Sequence, residues 1–386
     1  MPKHTQCVHS GARKDKATRG LNTPIYPSSA YEYMDAPENI YPRYFNTPNE
    51  RAVVEKLCAL EAAEDGLLFS SGMAAISTVM LAFLSSGDHA VIQRDIYGGT
   101  HHLITADFDR FRIDYTFVSN RPEAIAAALR KNTRLIYIES PSNPLLMITD
   151  IAAAAAIGRA HNIVTAIDNT FASPINQQPL AHGIDIVVHS ATKYLAGHGD
   201  LIAGCAMGSR DYMVDLWKVR KILGGCIDPH AAWLLERSLK TVTIRVERAC
   251  ENARAVAEFL VKHPFVERVH YPGLLTHPEH ALAKSQMKDY GGMVTIELAG
   301  DLSAAARFVD SLTVFQLAAS LGGVESLVSV PAASSHFALT PEERAEAGVT
   351  EGMVRLSVGI EDARDLIDDL AQALAAAASN VAAVRA

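Results

Sequence analysis

Little in this 386-residue chain would tie it to nucleic acid, a bilayer or an oxidising compartment. Positive charge is scarce: 35 Lys and Arg stand against 43 Asp and Glu, a formal net charge of −8. A mildly acidic chain offers no broad basic footprint to a phosphate backbone, so nucleic acid is excluded as the main partner. Cysteine is sparse too. Cys7, Cys58, Cys205, Cys226 and Cys250 are odd in number, lie far apart and form no Cys-x-x-Cys pair. That pattern predicts reduced thiols in a cytoplasmic protein. Met1 to Gly20 is polar and basic and lacks the apolar core of a signal peptide. One uncharged run, Leu67 to Gly87, approaches the length of a membrane span. Ser70, Ser71, Gly72, Ser77, Ser85 and Ser86 interrupt it, and Asp65 and Asp88 flank it, so a buried helix opening near Ser71 is expected. Aromatics are only 7% of the chain, yet 49% hydrophobic and 20% charged residues supply a globular core. At about 150 residues per domain, two or three domains are expected.

Residues 1 to about 45 read as irregular, because Pro24, Pro27, Pro37 and Pro42 stand among Tyr26, Tyr31, Tyr33, Tyr41 and Tyr44. Such an arm is expected to pack against something, a second subunit included. From Asn49 the pattern alternates. Helices are expected over Glu50 to Glu64, Met73 to Leu84, Pro122 to Lys131 and Ile151 to His161. Strands are expected at Ala90 to Gln93, Ile113 to Val118, Arg134 to Glu139, Ile163 to Asp168, Ile184 to His189 and Leu201 to Met207. Short β-branched runs between helices predict an α/β fold with a mostly parallel central sheet flanked by helices. Pro229 to Leu260 reads as nearly continuous helix. Strands then appear at Met293 to Leu298 and Arg355 to Val358, with helices at Ala304 to Asp310 and Asp362 to Ala375. This texture predicts a smaller C-terminal α+β domain, giving an arm over 1–45, an α/β domain over 46–242 and a second domain over 243–386.

In open α/β sheets, ligands sit beyond the C-terminal strand ends. The segments that follow the predicted strands are Tyr97-Gly98-Gly99, Glu139 to Asn143, Asp168-Asn169-Thr170 and His189 to Lys193. Polar residues are ordinary in a single loop. Four such loops on one rim, with Asp168 and Lys193 among them, suggest a site. A lysine and a carboxylate after two strands suit a bound pyridine aldehyde. The amine forms a Schiff base, and the carboxylate keeps the ring nitrogen protonated so that the ring absorbs carbanion charge. Alone, Asp168 would read as a helix cap and Lys193 as a surface lysine. A phosphate cradle is also present: Ser71-Gly72-Met73 opens a helix whose N–H groups meet anions, and Ser190 and Thr192 add hydroxyls.

The segment Ser190-Ala-Thr-Lys193-Tyr194 to Asp200 resembles the lysine motif of the Cys/Met-metabolism family of fold-type I PLP-dependent enzymes. That family comprises cystathionine lyases and synthases, methionine γ-lyase and homoserine sulfhydrylases. The likeness covers nearly the whole chain. It includes Pro24-Ile-Tyr26, Ser70 to Ala75, Tyr97-Gly-Gly-Thr100, Glu139 to Pro144, Asp168 to Phe171, Ser320 to Leu327 and Arg355 to Glu361. The resemblance implies pyridoxal 5'-phosphate as cofactor. It implies Lys193 as Schiff-base lysine and proton shuttle, Asp168 at the pyridinium nitrogen, and Tyr97 stacked on the ring as a proton-transfer group. Gly72, Met73, Ser190 and Thr192 would bind the phosphate, and Tyr41 and Arg43 would reach the phosphate of a neighbouring subunit. Arg355 would fork onto the substrate carboxylate, with Asn143 and Ser320 lining the site. A homotetramer built from dimers with shared sites is implied as well.

The chain departs from the family pattern in four places. Asn46-Thr47-Pro48 transposes the usual Pro and Thr. His102 stands where cystathionine γ-enzymes usually carry Arg, Ala319 where many carry Glu, and Gly99 where methionine γ-lyases commonly carry Cys. The reading is a PLP-dependent carbon–sulfur lyase close to the cystathionine lyases, with β- or γ-elimination, with γ-replacement as the runner-up and methionine γ-lyase as a further candidate.

Other chemistries fit less well. Ser190-Ala-Thr-Lys193 satisfies the Ser-x-x-Lys of β-lactamase-like acyltransferases, but no Lys-Thr-Gly or Lys-Ser-Gly follows. Gly197-His-Gly199 lacks the third glycine of a dinucleotide fingerprint. A non-catalytic protein of the same fold would be expected to lack Lys193, Asp168 or Arg355. His101-His102 would point apart on a strand, which argues against a metal site.

Overall fold

The computed structural model describes residues 1–334, 340, 342, 344 and 348–384. A seven-stranded sheet forms the larger layer, in the order β1-β7-β6-β5-β4-β2-β3. Its strands are β1 (Asp65–Phe69), β2 (His89–Gln93), β3 (Asp114–Val118), β4 (Thr133–Glu139), β5 (Val164–Asp168), β6 (Ile186–His189) and β7 (Gly204–Gly208). Strands β6, β5, β4, β2 and β3 run parallel, and β7 is antiparallel to both of its neighbours. In β4 six of seven residues are buried, as expected of a strand covered on both faces. A second sheet, β10 (Gln316–Leu317), β11 (Leu327–Ser329), β12 (Met353–Ser357), β9 (Met293–Leu298) and β8 (Val266–His270), lies in that order in the C-terminal part.

The uncharged run that could be mistaken for a span is β1, a turn, and helix α3 (Gly72–Phe83), whose Ser71 hydroxyl accepts from Ala74 N–H. No helix among the described residues is long and apolar enough to cross a membrane. Helix α2 (Pro48–Glu61) opens with a full capping box. Thr47 is the cap, Pro48 the first helical residue, and the Glu50 side chain reaches back. The transposed Thr47-Pro48 order is thus the one a helix N-terminus favours.

The structure corrects several expectations. Residues 1 to about 45 are not irregular throughout. Helix α1 (Lys3–His9) packs on its own chain, where the buried Lys56 donates to Cys7 O at 2.8 Å. Trp233 likewise holds Thr23 O at 3.0 Å. Tyr26, Tyr33, Tyr41 and Tyr44 are exposed. His101 and His102 lie on helix α4 (Gly98–Phe111), not on a strand. Gly-Gly-Thr-His-His is a poor helix former, so propensity concealed α4. The expected helix over Pro229 to Leu260 breaks at Lys240-Thr241 into α9 (Pro229–Leu239) and α10 (Val242–Leu260). The strand expected from Leu201 starts at Gly204. Helix α8 (Arg210–Leu223), capped by Ser209, had no counterpart in the sequence reading.

Candidate active site

The C-terminal ends of the parallel strands meet on one rim, where a cavity of about 580 Å³ opens. Glu139 ends β4, Asp168 ends β5, and the turn after β6 carries Ser190, Thr192 and Lys193 into the cavity wall. Gly72 and Met73 enter from the start of α3, Tyr97 from the start of α4, and Asn143 from the loop after β4. Ser320 and Arg355 come from the second sheet region and close the opposite wall. Ten of the residues named from sequence therefore share one cavity.

Lys193 is fixed by its neighbours. Tyr194, Leu195 and Ala196 are buried, and Arg245 of α10 donates to the carbonyls of Tyr194 at 2.8 Å and Leu195 at 3.2 Å. Nζ of Lys193 donates to Ser320 Oγ at 2.8 Å. Burial, followed by the Arg355 charge, lowers the amine's pKa, which favours its neutral, nucleophilic form. Arg355 donates from Nη1 to Asn143 Oδ1 at 2.8 Å and from Nη2 to Ser320 O at 3.4 Å. Burial brings its pKa down to about 10, so it stays charged at neutral pH.

Asp168 is buried, and that burial raises its pKa. The Thr170 hydroxyl and N–H, then the His189 ring, pull it back. Thr170 N–H donates to Oδ1 at 3.0 Å, and Thr170 Oγ1 accepts from Ser190 N–H at 2.8 Å, which ties the β5 and β6 turns together. Sequence alone assigns Glu139 no role. Its Oε2 accepts from Tyr97 N–H at 2.7 Å and so sets where α4 begins. Burial, then the Asp168 charge, pushes its pKa well up.

The residues present fit a phosphorylated pyridine aldehyde. The N–H groups of Gly72 and Met73 precede any that an intrahelical carbonyl can reach. A Cβ at Gly72 would stand 2.8 Å from Ser190 Cβ, so the cradle is built for a bare backbone. A Cβ at Gly99 would fall 2.5 Å from the Tyr97 ring, which gives a reason for glycine there.

Tyr41 and Arg43 do not line this cavity. They sit on a partly exposed turn where Arg43 donates to Lys221 O at 3.2 Å and lies over the Tyr41 ring. His102 is exposed and outside the lining, whereas Ala319 is part of it. Arg245 was missed. Its signal was a charge on the apolar stripe Val242, Val246, Ala249 and Ala253. All five cysteines are free thiols, and no cluster of three potential metal ligands occurs among the described residues.

Residues 4–375 match the family described as Cys/Met metabolism PLP-dependent enzyme. The chain is 44% identical to the cystathionine gamma-lyase of Bacillus subtilis (strain 168) over 97% of its own length and 99% of that protein's. It is 41% identical to the cystathionine beta-lyase of Lactococcus lactis subsp. cremoris (strain MG1363), over 96% of this chain and 98% of that one. The crystal structure of cystathionine gamma-lyase from Lactobacillus plantarum complexed with L-serine superimposes with a TM-score of 0.94. It is 38% identical and covers 98% of this chain and 100% of that one.

Proposed function

Because the chain belongs to the Cys/Met-metabolism family of PLP-dependent enzymes, we propose that it cleaves the carbon–sulfur bond of cystathionine or a related sulfur amino acid. With one water, the products are a thiol, ammonia and a 2-oxo acid. The observation that carries this reading is the meeting of Lys193, Asp168 and Arg355 in one cavity beside the N-terminus of α3.

Pyridoxal 5'-phosphate, when bound, supplies an aldehyde that condenses with amines and a protonated ring that takes up the electron pair left on Cα. The chain's own residues do the rest. Lys193 anchors the group and then moves the proton at Cα, a task its lowered pKa suits. Asp168 holds the proton on the ring nitrogen. Gly72 and Met73, through their N–H groups, and Ser190 and Thr192, through their hydroxyls, hold the phosphate. Tyr97 covers the ring and exchanges a proton with the substrate amine or the leaving sulfur. Arg355 takes the substrate carboxylate with its planar fork, oriented by Asn143, and Ser320 bridges Arg355 to Lys193.

In the same proposal Tyr41 and Arg43 serve the phosphate of a neighbouring subunit. Their exposure outside their own chain's cavity is consistent with that task in a homotetramer. The chain then divides into an arm over 1–45, a cofactor domain over 46–242 and a second domain over 243–386, working in the cytoplasm.

The decisive experiment is a steady-state assay on cystathionine, methionine, homocysteine and O-acylhomoserines with identification of the 2-oxo acid. Pyruvate from cystathionine marks β-cleavage, and 2-oxobutyrate marks γ-cleavage. Net formation of cystathionine from an O-acylhomoserine and cysteine, with no oxo acid from any substrate, would make the protein a γ-replacement enzyme instead. Lys193→Ala should abolish the visible absorbance of the reconstituted protein.

A further inference from the structure

His189 ends β6, next to the β5 strand that ends in Asp168, and is only 1% exposed. Its Nε2 lies 2.6 Å from Oε1 of Glu61, the fully buried last residue of α2. A carboxylate oxygen accepts, so this short contact places the imidazole proton on Nε2. Nδ1 is left with no hydrogen-bond partner, and so is Oε2 of Glu61. A buried pair with half of its bonding capacity unmet is a weak source of stability, so folding alone gives little reason for it. Its location gives a better one. Asn169, directly after Asp168, directs Nδ2 to the same Glu61 oxygen at 3.4 Å and to Gln177 O at 3.1 Å. Glu61 therefore grips the ends of both β5 and β6 where they flank Asp168. The His189 ring is also among the influences that hold the Asp168 carboxyl down against its burial.

We propose that Glu61 and His189 form a positioning couple for Asp168. By gripping the ends of β5 and β6 through His189 and Asn169, Glu61 keeps the Asp168 carboxylate aimed at the proton on the cofactor's ring nitrogen. This rests on the reading that Asp168 meets that nitrogen. Neither residue touches substrate, and their effect passes through Asp168 alone.

The test uses the apoprotein of the full chain, titrated separately with pyridoxal 5'-phosphate and with its 1-deaza analogue, in which carbon replaces the ring nitrogen. Binding is read from protein fluorescence, with no turnover involved. Replacing His189 alone would strand a buried carboxylate, so the main variant is Glu61→Gln combined with His189→Phe. It should lose about tenfold in affinity for the natural cofactor. Its affinity for the deaza analogue, which offers Asp168 nothing to hold, should change by less than about twofold. An equal loss for both ligands would show a packing role only and overturn the proposal, as would no loss for either. If the double variant does not fold, the near-isosteric Glu61→Gln carries the same comparison, with a loss of about threefold expected for the natural cofactor alone. Asp168→Asn is the control. Should it discriminate between the two ligands as the parent does, Asp168 is not at the ring nitrogen. That result overturns the underlying reading itself, and the couple with it.

Discussion

Ser320 joins the two basic side chains of the site: its hydroxyl accepts from Lys193 Nζ at 2.8 Å, and its carbonyl accepts from Arg355 Nη2 at 3.4 Å. The serine does this with a backbone φ of +135°, a conformation that favours glycine. The neighbouring structure holds it there, since Gly322 N–H donates to Ser357 Oγ at 2.8 Å and Leu321 is buried. Strain of this kind costs on the order of 1 kcal/mol and collects at functional sites. Ser320→Gly should therefore raise the melting temperature by about 2 °C while lowering kcat/KM about tenfold, because the Lys193 amine loses its acceptor. Ser320→Ala should lose the same activity without the gain in stability. Calorimetry beside steady-state kinetics on both variants checks this, and full activity in the glycine variant would show the hydroxyl to be idle.

Arg355 gives a second prediction. Its guanidinium is almost fully enclosed and already faces Asn143 Oδ1 at 2.8 Å, so it is oriented before any carboxylate arrives. Lysine keeps the charge but not the fork. Arg355→Lys should raise KM for cystathionine about tenfold, and Arg355→Ala about a hundredfold, while both retain the visible colour of the reconstituted protein. Initial rates over a range of substrate concentrations decide it. An unchanged KM would mean that another group holds the carboxylate.

Particular residues show what the sequence could reveal and what it hid. Runs such as Leu135 to Glu139 are short, β-branched and followed by polar turns, so their strands and the rim at their ends could be read directly. Lys193 and Asp168 followed, because the rim concentrates ligand contacts. What stayed hidden depended on tertiary contact. Helix α4 starts because Glu139 holds Tyr97 N–H, a partner 42 residues away in sequence. Helix α8 is the exception, since its Ser209 cap is a local signal. Arg245 and Glu61 lie on the buried faces of long helices, where a charge looks like an interruption of the apolar stripe. Only the folded chain shows that one grips the Lys193 turn and the other the His189 ring. Arg355 lies 162 residues beyond Lys193, and no local pattern places it opposite.

The proposed phosphate cradle at the start of α3 makes a third prediction. A methyl group at Gly72 would stand 2.8 Å from Ser190 Cβ and 3.1 Å from its Cα. Backbone atoms cannot yield as a flexible side chain does, so the turn between β6 and Lys193 must shift. Gly72→Ala should weaken retention of pyridoxal 5'-phosphate by about tenfold or more. Its effect on KM should be small once the cofactor is saturating. Dialysis against cofactor-free buffer, followed by the visible absorbance, measures the loss. Unchanged retention would place the phosphate elsewhere than the start of α3.

The last prediction concerns stability in mild acid. His277 is buried, and that burial, with the His270 and His280 charges next, holds its pKa down to about 4. Its Nδ1 accepts from Glu279 N–H at 3.2 Å, a bond that requires that nitrogen to be unprotonated. In the unfolded chain the same imidazole titrates near its ordinary value of about 6.5. Between those two values the unfolded chain binds more protons than the folded one, so stability must fall as pH drops through that window and is unaffected above it. Glu297 works in another range. Its hydrogen bond from the His270 ring lowers its pKa, so its contribution is lost only below the ordinary carboxylate value of about 4.5. His89 and His263 are also held down by burial and add to the slope of the parent protein. The difference between parent and His277→Gln removes those shared terms. Urea midpoints at about pH 7.5, 6 and 5 should therefore converge as pH falls, with the parent losing more than the variant. Parallel curves would mean that His277 titrates alike in both states.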